Sequence, residues 1–514
     1  MPEHHDLLTE ALIRVRGRSG EVNKASLPDV LSALQRGDAQ DFPGLRPHQQ
    51  HAWHAFLVQL AGLAGIDQEP AVPLEAEQWR QRILQLTGDR HEPWCLVVDD
   101  LALPAFLQPP VPEGSLKSFG DPIAQPDDLD MLVTAKNHDL KRSRMDGRDP
   151  EAWIFALITL QTMDGYPGRG NYGIARMNGG LSNRPALAVT PALDIATRFN
   201  RDLAAMLQAR PGVIRSHGYP ERGGKALVWL EPWDGHSSLP LASCDPFFIE
   251  ICRRVRIERI GPALVARPKP TEASRIEAKL AGGDTGDPWT PVSVQDEKAK
   301  ALTVDGSGFS YRRTHELLFS GTWKPGAAQI MTSGEGGAWF TAWALTRGQG
   351  KTEGLHERIL PIPAGVRRRL MTIEGRQNIG EIAKKRVAAV GEATNKVLKP
   401  ALLKLLQDAH EDLNFKDKRP QVWLDRFDDA VDGIFFDCLW QALDLAAEEA
   451  DRRWAERLVS LAREHLDEAI RALPVPAARR YRAIALSEQV FAGAARKRFP
   501  QAFAIKEDIA AHES

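Results

Sequence analysis

Apolar residues recur along much of this chain at steps of three and four, the spacing that lines one face of an α-helix. Trp53, Phe56, Leu57, Leu60 and Ala64 form one such stripe, and Pro47, whose fixed φ suits a first helical turn, marks its start. Toward the C-terminus the same device repeats almost without interruption. Phe427, Val431, Ile434, Phe435, Cys438, Ala442 and Leu445 share a face, as do Trp454, Leu458, Leu461, Ala462, Leu466, Ala469 and Leu473. A further helix runs through Ile379, Ile382, Ala383, Val390 and Val397 to a kink or end at Pro400, and a last one covers 477–498. Consecutive amphipathic helices of this kind predict a four-helix bundle. The earlier part is mixed: the short apolar runs Trp94 to Val98 and Leu227 to Leu230 lie between turn residues and predict strands, and 266–310 is rich in loops. The boundary is Leu360-Pro361-Ile362-Pro363-Ala364-Gly365, where two prolines and a glycine break regular structure. The pattern therefore predicts an α+β fold, with a large mixed α/β domain over 1–363 followed by a C-terminal four-helix bundle over 364–514.

Composition narrows the function. With 514 residues, 43% hydrophobic and 26% charged, the chain has the balance of a globular protein with a core. Its 66 Lys+Arg against 68 Asp+Glu leave a formal net charge of -2, so no global basic field draws in nucleic acid and any such contact must be local. The four cysteines form no CxxC pair, which argues against a zinc ribbon or disulfide framework and suits a reducing, cytoplasmic setting. No apolar run approaches the roughly 18 residues of a membrane span, and the opening residues lack the order of a signal peptide.

Motifs with catalytic potential are weak. Gly168-Arg169-Gly170-Asn171-Tyr172-Gly173 satisfies G-x-G-x-x-G, but the preceding Glu151 to Met163 reads as a helix, whereas a dinucleotide fingerprint needs a strand there. Gly350-Lys351-Thr352 mimics the end of a phosphate loop, with Leu345 where its first glycine belongs. His48, His51 and His54 suggest a metal-dependent hydrolase as the alternative function. Three-residue steps, however, turn the outer two roughly 120° apart, and no carboxylate or cysteine partner is evident. The glycines around Arg169 make a loop whose bare backbone suits close approach to a polymer groove, or an ordinary surface turn. Arg367, Arg368, Arg369, Arg376, Lys384, Lys385 and Arg386 cluster at the start of the bundle, either as a face that tracks DNA strands or as a solvated helix surface. A free-standing DNA-binding protein using only that face is a third reading.

Asp41-Phe42-Pro43-Gly44-Leu45-Arg46-Pro47-His48-Gln49, followed by Ala52-Trp53-His54-Ala55-Phe56-Leu57, resembles the large subunit, the CasA family, of the type I-E CRISPR surveillance complex Cascade. The opening Leu7 to Val15, the segment Gly168 to Gly180, and Arg347-Gly348-Gln349-Gly350 leading to Glu357-Arg358 agree in the same order. The resemblance implies a subunit that is not an enzyme and carries no cofactor or metal. It would recognise the PAM of target double-stranded DNA from the minor groove, promote strand opening and R-loop formation, and help recruit a helicase-nuclease. It implies that Gly168, Arg169, Gly170 and Asn171 form the PAM-reading loop, that Gln349 is a wedge, and that Lys298 or Lys300 supplies a lysine. It also implies that Lys136, Asn137 and His138 meet the 5′ handle of the crRNA and the other Cascade subunits. The paired cysteines of some members are absent, so a zinc site is not expected. Arg169, where some relatives have only glycine, leaves the preferred PAM open.

Overall fold

The computed structural model describes residues 4–65, 73–130, 147–295, 298–348, 351–407, 412–472 and 477–504. The chain divides into two compact units, Met1–Phe309 with Gly321–Ile362, and Ser310–Ser320 with Pro363–Ser514. The architecture is α+β, with strands in the first unit and helices making up the second.

In the first unit, helix Gln50–Gly65 follows a 3-10 turn at Pro47–Gln49, as the proline and the apolar stripe predict. Ala52, Ala55, Val58 and Ala61 are buried as well as the stripe from Trp53 to Leu60, with Ala64 partly buried, so the helix is enclosed on nearly every side. Helix Pro150–Met163, capped by the Asp149 carboxylate accepting from the Glu151 N–H, is enclosed in the same way, and the Trp53 and Phe155 rings of the two helices meet edge to face at 5.1 Å. Gln161, buried in this core, is satisfied by backbone: it donates to the carbonyls of Leu107 and Arg253 and accepts from the N–H groups of Cys252 and Arg253.

Neither short apolar run is a full strand. Glu92–Trp94 is a 3-10 turn and Cys95 makes one isolated bridge to Asp6, while Lys225–Leu227 is a strand that gives way to a 3-10 turn at Val228–Leu230. Trp94 and Trp229 are both fully buried and meet edge to face at 5.8 Å, with the Trp229 indole donating to the Pro93 carbonyl. Ring packing on all sides, rather than alternation between two sheet faces, shapes these runs. The longest strands, Ala338–Gly348 and Lys351–Ile362, form an antiparallel hairpin, and Ala186–Thr190 pairs with the other edge of the first of them. A register shift between Thr346 and Arg347 leaves Arg347 opposite Thr352 near the hairpin end.

The second unit holds Ile373–Glu392, Lys399–Leu406, Gln421–Ala442, Ala447–Ala472 and Ala477–Arg498. Pro400 does not end its helix. The six residues before Lys399, Ala393–Leu398, are wound as a π-helix that joins Glu392 to Lys399, so the chain stays helical through the proline with a local change of winding. Leu445 lies past the end of Gln421–Ala442, and Leu473 lies outside the described residues. The sequence boundary also omits a helix that belongs to this unit, Tyr311–Phe319, whose fully buried Tyr311 ring lies 4.8 Å from that of Phe435. No described helix is long and apolar enough to cross a membrane.

Candidate nucleic-acid interface

The helix Pro150–Met163 delivers the chain to Asp164, after which the glycine segment begins. A helix rather than a strand precedes it. Gly168 and Gly170 hold φ of 151° and 85°, values that side-chain-bearing residues rarely adopt, and the Asn171 N–H donates to the Gly168 carbonyl at 3.0 Å to close the turn. Arg169 and Asn171 are exposed at this turn. Behind it, the Thr271 N–H donates to the Gly170 carbonyl at 2.9 Å. Gly165 and Gly173 act differently: a Cβ on Gly165 would stand 2.3 Å from the Gly180 carbonyl oxygen, and one on Gly173 would stand 2.7 Å from the Gly165 carbonyl carbon. These two let the limbs of the segment pack backbone against backbone.

The root of the turn is a buried ion network. One Asp164 carboxylate oxygen accepts from Arg253 Nη2 at 3.0 Å and the other lies 2.7 Å from Arg347 Nη1. Arg253 also donates to the Gly165 and Tyr172 carbonyls, and Arg347 donates to the Asp130 carbonyl at 2.6 Å. All three side chains are at most a tenth exposed, so each depends on the others for compensation. Arg347 sits two residues before Gln349, and Asp164 therefore ties the glycine turn to the hairpin end. Two further buried pairs brace the same limbs: Arg176 donates to Glu250 at 2.7 Å, and Arg184 makes a bidentate contact with Asp287 at 2.6 Å.

The lysine segment completes the cluster. Lys300 begins the short strand Lys300–Ala301, which pairs with Val292–Ser293, and both Lys298 and Lys300 are exposed. Asn178 donates to the Ala301 carbonyl and Ser182 to the Val304 carbonyl, each at 2.7 Å, so this stretch runs beside the far limb of the glycine segment. The glycine segment is thus tied at its root to the hairpin through Asp164, and at its far limb to the stretch after Lys300 through Asn178 and Ser182. Gln349 itself, and Lys136, Asn137 and His138, lie outside the described residues. Sequence reading missed Asp164 and Arg253 and gave Arg347 no role. The signal was present as an aspartate placed directly after the largely apolar stretch Trp153 to Met163.

The basic set on the bundle is narrower than its spacing suggests. Arg367 and Arg386 are each 4% exposed, and Arg386 lies over the Trp454 ring at 4.9 Å, so neither is on a solvent-facing phosphate track. The reason is helical geometry, because a continuous run of basic residues cannot all share one face. Arg369 pairs with Asp444 at 3.0 Å and Arg376 donates to the Leu370 carbonyl, while Arg368, Lys384 and Lys385 are exposed.

The histidines do not converge. His48 bonds Asp130 at 2.9 Å and His54 bonds Asp202 at 2.8 Å, two different carboxylates. His51 is buried with neither ring nitrogen bonded, and burial first, then the neighbouring His48, Arg184, His54 and Arg198, pushes it down to about 3. Among the described residues no group of three His, Cys, Asp or Glu side chains is arranged to hold a metal. The hydrolase alternative loses its proposed seat.

No protein-family model matches the sequence, and no curated protein matches it. Solved structures do match. The fold is similar to that of CRISPR-associated protein Cse1 from Acidimicrobium ferrooxidans, at TM-score 0.66 and 15% identity over 98% of this chain and 99% of that one. It is similar to CasA of Thermus thermophilus, at TM-score 0.64 and 16% identity over 96% and 100%, and to Cse1 of Thermobifida fusca, at 0.63 and 14% over 97% and 98%. A chain of a CRISPR RNA-guided surveillance complex matches at TM-score 0.52 and 15% identity over 95% and 100%.

Proposed function

We propose that this chain is the large subunit of an RNA-guided CRISPR surveillance complex, without catalytic activity of its own, that inspects duplex DNA for a short flanking motif and begins to open it. The observation that carries the reading is the convergence, on the buried Asp164 network, of the glycine turn and the hairpin end in a fold shared from end to end with Cse1 and CasA. In this reading the turn enters the minor groove, which is about 6 Å wide and admits bare backbone or one long side chain. Gly168 supplies the bare backbone, the buried Gly170 turns the chain beneath it, Arg169 and Asn171 offer the side chains, and Lys298 or Lys300 a phosphate or base-edge contact. The minor groove distinguishes mainly A·T from G·C, so loose discrimination follows.

Gln349 then acts as a wedge in the base stack. Opening one step costs about 1.4 kcal/mol of stacking, and pairing with the guide returns a similar amount, so the wedge lowers a barrier more than it changes the balance. Fidelity rests on the guide, whose 5′ handle meets Lys136, Asn137 and His138. Arg368, Arg369, Arg376, Lys384 and Lys385 hold the duplex or the displaced strand, and the assembled complex recruits the helicase-nuclease.

The test is R-loop formation by the complex reconstituted with variants of this chain. Gln349→Ala, and Gly168 with Gly170 replaced by bulky residues, should slow R-loop formation on duplex targets at least tenfold while binding to single-stranded target persists. Equal loss on both substrates, or loss on neither, would count against the assignment.

A further inference from the structure

A cavity of about 150 Å³ in the first unit lies among the helices Leu27–Arg36, Gln50–Gly65 and Ile195–His217. Phe42, Trp53, Leu57 and Phe199 give it apolar walls, and Asp41, Gln50 and His54 also line it. A volume of about this size holds one six-membered ring.

Arg198 also lines it, and its bonding is unusual for this protein. Of the buried arginines, Arg176, Arg184 and Arg210 each bond a carboxylate at 2.6 to 2.7 Å, and Arg256 and Arg275 donate to backbone carbonyls. Arg198 lies instead over the Trp343 indole at 4.4 Å, and its Nε is buried with no hydrogen-bond partner. The carboxylates around it are engaged elsewhere. Asp202 accepts from His54, Trp289 and Arg201, Glu357 accepts from the Trp343 indole, Asp194 caps its helix through the Thr197 N–H, and Asp41 pairs with Arg16. His54, the other basic group in the wall, is held below its ordinary range by burial and is already bonded to Asp202 at 2.8 Å. One guanidinium short of an acceptor, at the edge of an apolar hole the size of a ring, is a complementary pair of features. An apolar body fills the hole, and a carboxylate completes the arginine in the planar fork geometry that guanidinium favours.

We propose that this cavity is a binding site for a small monocarboxylate with a compact apolar body, of the size of benzoate, whose ring packs between Trp53, Leu57 and Phe199 and whose carboxylate accepts from Arg198. The site is separate from the groove-reading elements and does not rest on their assignment.

Calorimetric titration of the full chain tests it with sodium benzoate, benzyl alcohol, which has the ring without the charge, and inorganic phosphate, which has the charge without the ring. Benzoate should bind saturably at one per chain and at least tenfold more tightly than either control. Arg198→Met should weaken benzoate at least tenfold with little effect on benzyl alcohol, and Leu57→Phe, which narrows the hole and keeps the guanidinium, should weaken both. A melting transition for each variant shows that it is folded. Absence of saturable benzoate binding to the unaltered chain would sink the proposal, as would equal affinity for benzoate and its alcohol, or undiminished binding in both variants. Tighter binding of N-acetylphenylalanine than of benzoate would overturn the assignment to a free small molecule and point to the end of a peptide chain.

Discussion

At the scale of single residues, the charges under the glycine turn matter most. Asp164 is the carboxylate that both Arg253 and Arg347 meet, so Asp164→Ala should leave two buried guanidinium charges with carbonyl acceptors and no counter-charge there, and cost ~3–5 kcal/mol. Urea unfolding checks this as a lower midpoint with an unchanged slope. The histidines make a second prediction. His51 keeps its ring neutral in the folded chain down to about 3, whereas an unfolded histidine titrates near 6.5. Between those values the unfolded chain binds the extra proton, so stability is full above the upper value and falls on acidification, by roughly 1.4 kcal/mol per pH unit. His51→Leu should flatten that part of the slope, read from unfolding free energies between about pH 4 and 6. The three-residue spacing of His48, His51 and His54 was legible in sequence, as was the poor convergence it implies. The partners, Asp130 and Asp202, stand 82 and 148 residues away from His48 and His54 and could not be read locally.

At the scale of elements, glycines of one segment separate into two kinds that the sequence shows alike. Gly165→Ala forces a Cβ into two carbonyl oxygens and should destabilise the first unit by more than ~2 kcal/mol, seen as lost amide protection across 164–183. Gly168→Ala meets no atom within 4 Å and strains only the turn, at a cost of about 1 kcal/mol. If the reading of the groove is right, the second variant impairs duplex opening while the protein remains folded. Helices were the most legible elements, because a stripe such as Trp454 to Ala469 records its own period. The run Trp94 to Val98 was misread, because a wholly buried segment has no alternation, and ring packing then decides between strand and turn.

For the whole molecule, the helical unit recruits a piece from outside the predicted boundary. Tyr311 is fully buried against Phe435, and its hydroxyl donates to Asp428 at 2.9 Å. Tyr311→Ala should therefore cost ~3–5 kcal/mol and speed hydrogen exchange in Gln421–Ala442, and a fragment starting at residue 364 should be less stable than one to which Ser310–Ser320 has been joined. Local period and turn chemistry were enough for the α+β class, the long C-terminal helices and the helix after Pro47. That Asp164 joins the glycine turn to the hairpin, that Arg367 and Arg386 are buried, and that helix Tyr311–Phe319 belongs with the bundle could be read only from the folded chain. Those facts are contacts between residues far apart in the chain, and a charge finds its partner only when the whole core has closed around both.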